Sequence, residues 1–178
     1  MELYEGLLTR RSIRKYTGEK IDERDIELIV KAGMYAPSAN NKRPWHFIVI
    51  ADRNVLDKIM KFHPNASMLK EASHAIVVCG DLEKQHAAGY YLLDCSAATQ
   101  NILLAAHSLG FGAVWVGIEP RQERVKALTD ILNLPVNIRP VTLVSVGVPA
   151  EKPETMPHRF EPDKIHLNNW GGSWAAFE

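Results

Sequence analysis

Three short stretches of this chain carry residue types that could do chemistry. The first is "RRSIRKY" at 10–16, in which Arg10, Arg11, Ser12 and Arg14 set three guanidiniums and a hydroxyl within five positions. Arginine's planar fork matches phosphate oxygens in two-point contact, so two guanidiniums and a hydroxyl can converge on one phosphate. A solvated charge run at a helix end would use the same residues, because cations are favourable at a helix C-terminus. The second stretch is "PSANNKRPW" at 37–45, where Pro37, Ser38, Ala39 and Asn41 let another molecule approach the backbone or simply connect two elements. The third is "WVGI" at 115–118, where Gly117 can present its backbone N–H at the C-terminal end of a strand, the place where ligands tend to sit in open α/β sheets. Read as a turn, Gly117 carries no ligand. Together the three describe a ligand with an anionic end and a flat, hydrogen-bonding end.

The rest of the chain narrows what that ligand is. Lysine plus arginine (21) balances aspartate plus glutamate (21), so there is no global field to draw a polyanion, and nucleic acid is excluded as the expected partner. The seven histidines are scattered without a HExxH pair, which argues against a metal site. "GFGAVWVG" has Trp115 where a dinucleotide fingerprint needs its third glycine, and it precedes a strand instead of following one. A phosphate loop and a G-x-S-x-G elbow are missing as well. No apolar run approaches the roughly 20 residues of a membrane span, and the first residues lack the order of a signal peptide. Cys79 and Cys95 lie in apolar runs and read as buried, reduced thiols, which fits a cytoplasmic protein.

The elements that must position these stretches follow from periodicity. Leu3, Leu7 and Leu8 share one face of a first helix, which places the arginine cluster at its exit. Asp22 caps a second helix with Ile26, Ile29, Val30, Gly33 and Met34 at helical spacing, stopped by Ala36-Pro37. Strands are predicted at 46–51, 74–80, 112–118 and 140–147, and helices at 55–61, about 89–109 and 120–133. Asp94 and Asn101 interrupt the long apolar helix two turns apart; Asp94 reads as an interface residue or a buried hydrogen-bond acceptor. The alternation points to a three-layer α/β or α+β arrangement in a single domain, 1–178. The proline-rich last thirty residues either wander over the surface or embrace another subunit.

"RRSIRKYTGEKI", "APSANNKRPWHFIVI", "DCSAATQNILLAAHSLGFGAVWVGI" and "VSVGVPAEKP" stand in the order and at about the spacing of the flavin-dependent nitroreductase family, which the chain resembles over most of its length. The resemblance implies an α+β fold around a central, mostly antiparallel mixed sheet flanked by helices, with the C-terminal tail exchanged between the subunits of a homodimer. It implies FMN bound at the subunit interface, with NAD(P)H as electron donor and ping-pong transfer to nitroaromatics, quinones or similar electron-poor acceptors. By position, Arg10, Arg11, Ser12 and Arg14 would hold the phosphate and ribityl chain, with Arg159 completing the phosphate site from the tail. Pro37, Ser38, Ala39 and Asn41 would come from the partner to line the isoalloxazine. Val116, Gly117 and Ile118 would lie against the ring, the Gly117 N–H donating to N5, and Asn65 would face the pyrimidine edge. No side chain is expected to act as a catalytic group, because the flavin carries the chemistry. Two alternatives stay open: a same-fold flavin enzyme of other specificity, such as a reductive dehalogenase or a flavin-cleaving enzyme, and a non-catalytic flavin-binding module.

Overall fold

The strand residues alternate between two destinations, and that alternation builds three layers. The computed structural model describes residues 2–152 and 159–173. In chain order the main elements are α1 (Leu3–Thr9), α2 (Glu23–Met34), β1 (Trp45–Ile50), α3 (Arg53–Phe62), β2 (His74–Asp81), α4 (Tyr90–Ser108), β3 (Gly112–Gly117), α5 (Gln122–Leu132) and β4 (Ile138–Gly147). The strands form one sheet in the order β1-β2-β4-β3. Val77, Cys79, Val114, Val116 and Leu143 face one side, against Leu56 and Ile59 of α3 and Val125 and Leu128 of α5. Their neighbours Ile76, Val78, Ala113, Val144 and Val146 face the other, against Ile26 and Ile29 of α2 and Cys95, Ala98 and Ile102 of α4. A period of two over strands buried on both faces is what makes them read as continuous apolar runs.

All three strand pairings are antiparallel, and no parallel pair occurs among the described residues. The expected exchange of the tail concerns a segment of which 153–158 and 174–178 lie outside the described residues.

The helices start and stop where the sequence places them. The Asp22 carboxylate accepts the Arg24 N–H at 2.8 Å, capping α2. Its apolar stripe is wider than its core contact: Ile26, Ile29 and Gly33 are buried, but Met34 is exposed. The two polar interruptions of α4 are ties to that helix and the loop after it. Asp94 Oδ1 accepts the Ala39 N–H at 2.9 Å, and Asn101 Nδ2 donates to the Ala32 carbonyl at 3.1 Å. Asp94 is thus a buried acceptor. Leu3, Leu7 and Leu8 of α1 remain exposed in the single chain.

Residues 13–17 lie along the β3–β4 side of the sheet, where Ile13 N–H donates to the Ala113 carbonyl at 3.0 Å and Thr17 N–H to Val148 at 2.9 Å. Two glycines make this possible. A Cβ on Gly112 would stand 2.7 Å from Ile13 Cγ2, and one on Gly147 would stand 2.6 Å from Tyr16 Cγ.

Candidate functional site

The arginine cluster begins where α1 ends. Arg10 is the residue after the helix, its N–H returning to the Gly6 carbonyl, and the chain then runs extended along the sheet. That change of direction separates the guanidiniums. Arg11 turns back, its Nη1 donating to the carbonyls of Leu8 at 2.9 Å and Arg10 at 2.7 Å, so it satisfies the helix end. Arg10 is half-buried, and its guanidinium is held below the usual arginine value by burial and then by the charges of Arg11 and Arg159. Arg159 therefore reaches the same neighbourhood from the tail. Burial, followed by the charges of Arg10 and Arg11, likewise lowers the imidazole of His107 at the end of α4. Like charges gathered in this way favour an anion between them.

Ser12 and Arg14 are exposed beyond this cluster. The backbone of Arg14 is fixed by Glu151, whose Oε1 accepts its N–H at 3.0 Å, and this bond is the main reason the Glu151 carboxyl lies below its ordinary value. Arg14 points into a cavity of about 240 Å³ that it shares with Asn65, Val116 and Gly117. Four residues singled out from separate stretches thus meet at the end of β3.

The backbone of Gly117 faces outward there. Ala113 sends its carbonyl off the sheet edge to Ile13, and the two-residue period of a strand turns Trp115 and Gly117 the same way. The Gly117 carbonyl agrees: it accepts from His63 Nε2 at 2.9 Å and Arg124 Nη1 at 2.8 Å, not from β4. In an extended residue N–H and C=O leave on one side, so the Gly117 N–H also points out from the open edge of β3. Above it there is room. Among the described residues, a Cβ built on Gly117 meets nothing nearer than the Glu119 carbonyl oxygen at 4.0 Å, and its φ is not positive, so neither their packing nor the backbone conformation demands glycine. Glycine thus leaves space free against the strand, as it does where a ligand or another backbone approaches closely.

Ile118 is wholly buried in the core, directly after Gly117 and in the same cluster as Val116. His63 and Arg124 were not foreseen. Nothing in "FHPN" or "PRQERV" distinguishes them from surface residues; only the fold brings both to one carbonyl. His63 Nδ1 accepts the Asn65 N–H at 3.3 Å, which leaves the ring proton on Nε2, facing Gly117. Burial lowers its basicity and the Arg124 charge adds to that, against the opposing bond to Gly117.

The loop containing Pro37, Ser38, Ala39 and Asn41 is not part of this cavity. It precedes β1, the opposite edge strand from β3. It is nevertheless a built feature: Asn40, Asn41 and Arg43 all have φ near +50°, a conformation that costs energy for residues other than glycine. Three bonds to side chains help hold it, from Ala39 N–H to Asp94, from Arg43 N–H to Ser38 Oγ at 2.9 Å, and between Asn40 and His86 at 3.1 Å. Among the described residues no group of three or more His, Cys, Asp or Glu could hold a metal ion, and no helix is long and apolar enough to cross a membrane.

Comparison with known proteins bears on what this arrangement holds. A model of the nitroreductase family matches residues 7–63 and 60–148. A protein of Methanothermobacter thermautotrophicus, provisionally named an NADH dehydrogenase/NAD(P)H nitroreductase, is 46% identical over 170 residues, covering 96% of this chain and 88% of its own. The structure of an FMN-dependent nitroreductase from Clostridium difficile superposes with a TM-score of 0.86 at 30% identity, over 93% of this chain and 98% of its own. A provisionally named nitroreductase of Desulfovibrio desulfuricans, solved in complex with FMN, superposes with a TM-score of 0.76 at 30% identity, over 88% and 92% of the two chains.

Proposed function

The chain belongs to the nitroreductase family, a family of oxidoreductases, and from that premise we propose that it binds FMN and uses NAD(P)H to reduce electron-poor acceptors such as nitroaromatics and quinones. The observation that carries the proposal is Gly117: a glycine required by neither packing nor φ, with its N–H on an open sheet edge, beside Arg14 and Asn65. When bound, FMN supplies the hydride and electron chemistry, which asks of the protein only position, electrostatics and a dry face.

The residues present fit such a group. Arg10 and Arg159, crowded by like charge, hold the phosphate, with Ser12 two residues further along the extended chain. Arg14 lies between that end and the ring, where it meets the ribityl chain or the pyrimidine carbonyls together with Asn65. Val116 and Gly117 form the wall against which the ring lies, and the Gly117 N–H donates to N5. Arg11 is engaged at the end of α1, where its Nη1 donates to the Leu8 and Arg10 carbonyls. The strained loop with Pro37, Ser38, Ala39 and Asn41 sits too far across the sheet to serve its own chain's site and lines that of a second copy. The exposed Leu3, Leu7 and Leu8 face of α1 supplies apolar surface for such a homodimer. Donor and acceptor then use one open place in turn, which gives ping-pong kinetics. With the two thiols buried, and Cys79 pushed up to about 12 by that burial, the protein is suited to a reducing cytoplasm.

The test is an absorbance titration. The purified protein, loaded with FMN, should bleach with NADH or NADPH and regain its colour with menadione or nitrofurazone. Replacing Arg10 and Arg14 by alanine should weaken FMN binding by about 3 kcal/mol, the loss expected for two charge-assisted contacts, with the fold intact. A protein that takes up no FMN, or binds it unchanged after both substitutions, overturns the reading.

A further inference from the structure

Glycine at position 117 clears space at a cost. It is the residue with the greatest backbone freedom, and here it sits at the last position of an edge strand, where no strand of the described residues lies beyond β3 to restrain it. A donor that must meet one ligand atom would be poorly defined on such a backbone. The structure answers with two side chains from different elements. His63, at the end of α3, and Arg124, in the first turn of α5, both donate to the Gly117 carbonyl. Before the glycine, Val116 is held by its pairing with β4; after it, Ile118 is buried and Glu119 N–H returns to Val141 at 3.0 Å.

We propose that His63 and Arg124 are positioning residues that clamp the Gly117 carbonyl and thereby make its N–H a fixed, donor-only contact for the bound ring. The proposal rests on the reading of this cavity as an FMN site. Its physical content is twofold. Occupying the carbonyl with two donors fixes the backbone torsion that follows the N–H, so orientation is set before any ligand arrives. It also removes the acceptor that an open strand edge would otherwise offer beside its donor. What remains selects for an acceptor atom in the ligand. Oxidised isoalloxazine offers a lone pair at N5, whereas the reduced ring carries a hydrogen there, so a rigid donor favours the oxidised state. His63 suits the task because burial keeps it neutral, with Nε2 as its donor and the Asn65 N–H fixing the tautomer from the other nitrogen. The same imidazole thus ties the Asn65 loop to the strand end.

The test uses the FMN-loaded protein and, separately, the flavin-free one. In His63→Leu and Arg124→Met the affinity for oxidised relative to reduced FMN should fall about threefold each. In the double variant it should fall about tenfold, an upward shift of about 30 mV for a two-electron couple. His63→Gln, which restores a donor at the same reach, should return toward the parent. In flavin-free protein the 15N order parameter of the Gly117 amide should drop from the rigid range near 0.85 toward 0.6 or below in the double variant. A double variant that loses thermal stability but keeps the relative affinity within twofold and the amide rigid overturns the proposal, since its residues then serve only the fold. Should the double variant not fold, Arg124→Met alone is read by the same two measures. Should the parent bind no FMN, the functional reading fails by itself, while the amide measurement still decides the clamp.

Discussion

Strand β3 begins and ends with glycine, and the two ends have opposite reasons for it. At Gly112 the missing Cβ is replaced by the chain itself: Ile13 Cγ2 and Cβ stand 2.7 and 2.9 Å from where it would be, and Pro149 Cβ 3.3 Å. At Gly117 the space stays open. The first glycine lets residues 10–16 lie down on the sheet; the second leaves space that none of the described residues fills. A glycine is therefore informative about ligands only after the fold has been asked whether it needs one. Gly80 and Gly147 behave like Gly112, filled by Tyr91 and Tyr16.

That contrast breaks most visibly at Gly112. Gly112→Ala forces the Cβ of Ile13, not a movable side-chain tip, out of contact, and should cost about 1–3 kcal/mol of stability by overpacking. FMN affinity per folded molecule should stay close to the parent. Urea denaturation with a parallel FMN titration reads both. A stability change under about 0.5 kcal/mol would mean that Ile13 is not seated as tightly as the geometry requires.

The mirror experiment is Gly117→Ala. Here stability should change by less than about 1 kcal/mol, with a gain as plausible as a loss, because alanine restricts the unfolded chain more than glycine does. FMN binding should weaken about tenfold, or about 1.4 kcal/mol, as the methyl enters the space the ring needs. Equal FMN affinity in both proteins would place the ring elsewhere.

The sequence made the elements legible because their signals are local. The Asp22 cap, the Pro37 stop and the period-two strands each act within a few residues, and β1–β4 and α1–α5 lie within a few residues of where the sequence places them. The arginine cluster at a helix exit was legible for the same reason. Its division of labour was not: that Arg11 turns back to α1 while Arg14 goes forward to Gly117 depends on the chain changing from helix to extended at Arg10. His63 and Arg124 were invisible because a carbonyl acceptor has no sequence signature, and the three residues meet only through packing of α3 and α5 on one face.

The smallest expected effect separates the two ends of β3 by their histidines. His107 lines the cavity near Gly112 with Arg11, and His63 lines the one at Gly117. Both titrate below the ordinary 6.5, primarily through burial. A histidine depressed in the folded state contributes stability that is full above its unfolded value and is lost as pH falls through its folded one. Both therefore weaken the protein below about pH 6.5, and replacing either with glutamine should flatten that part of a stability profile. They differ in what else lowers them. For His107 the next causes are the positive charges of Arg10 and Arg11, whereas His63 is opposed by its bond to Gly117 and lowered further only by Arg124. An anion seated at Arg10 neutralises the first pair and leaves the second untouched. Adding inorganic phosphate should raise the His107 titration, followed by NMR, by a few tenths of a pH unit while His63 stays in place. Parallel movement of both, or of neither, would show that the arginine cluster at the closed end of β3 is not where the phosphate binds.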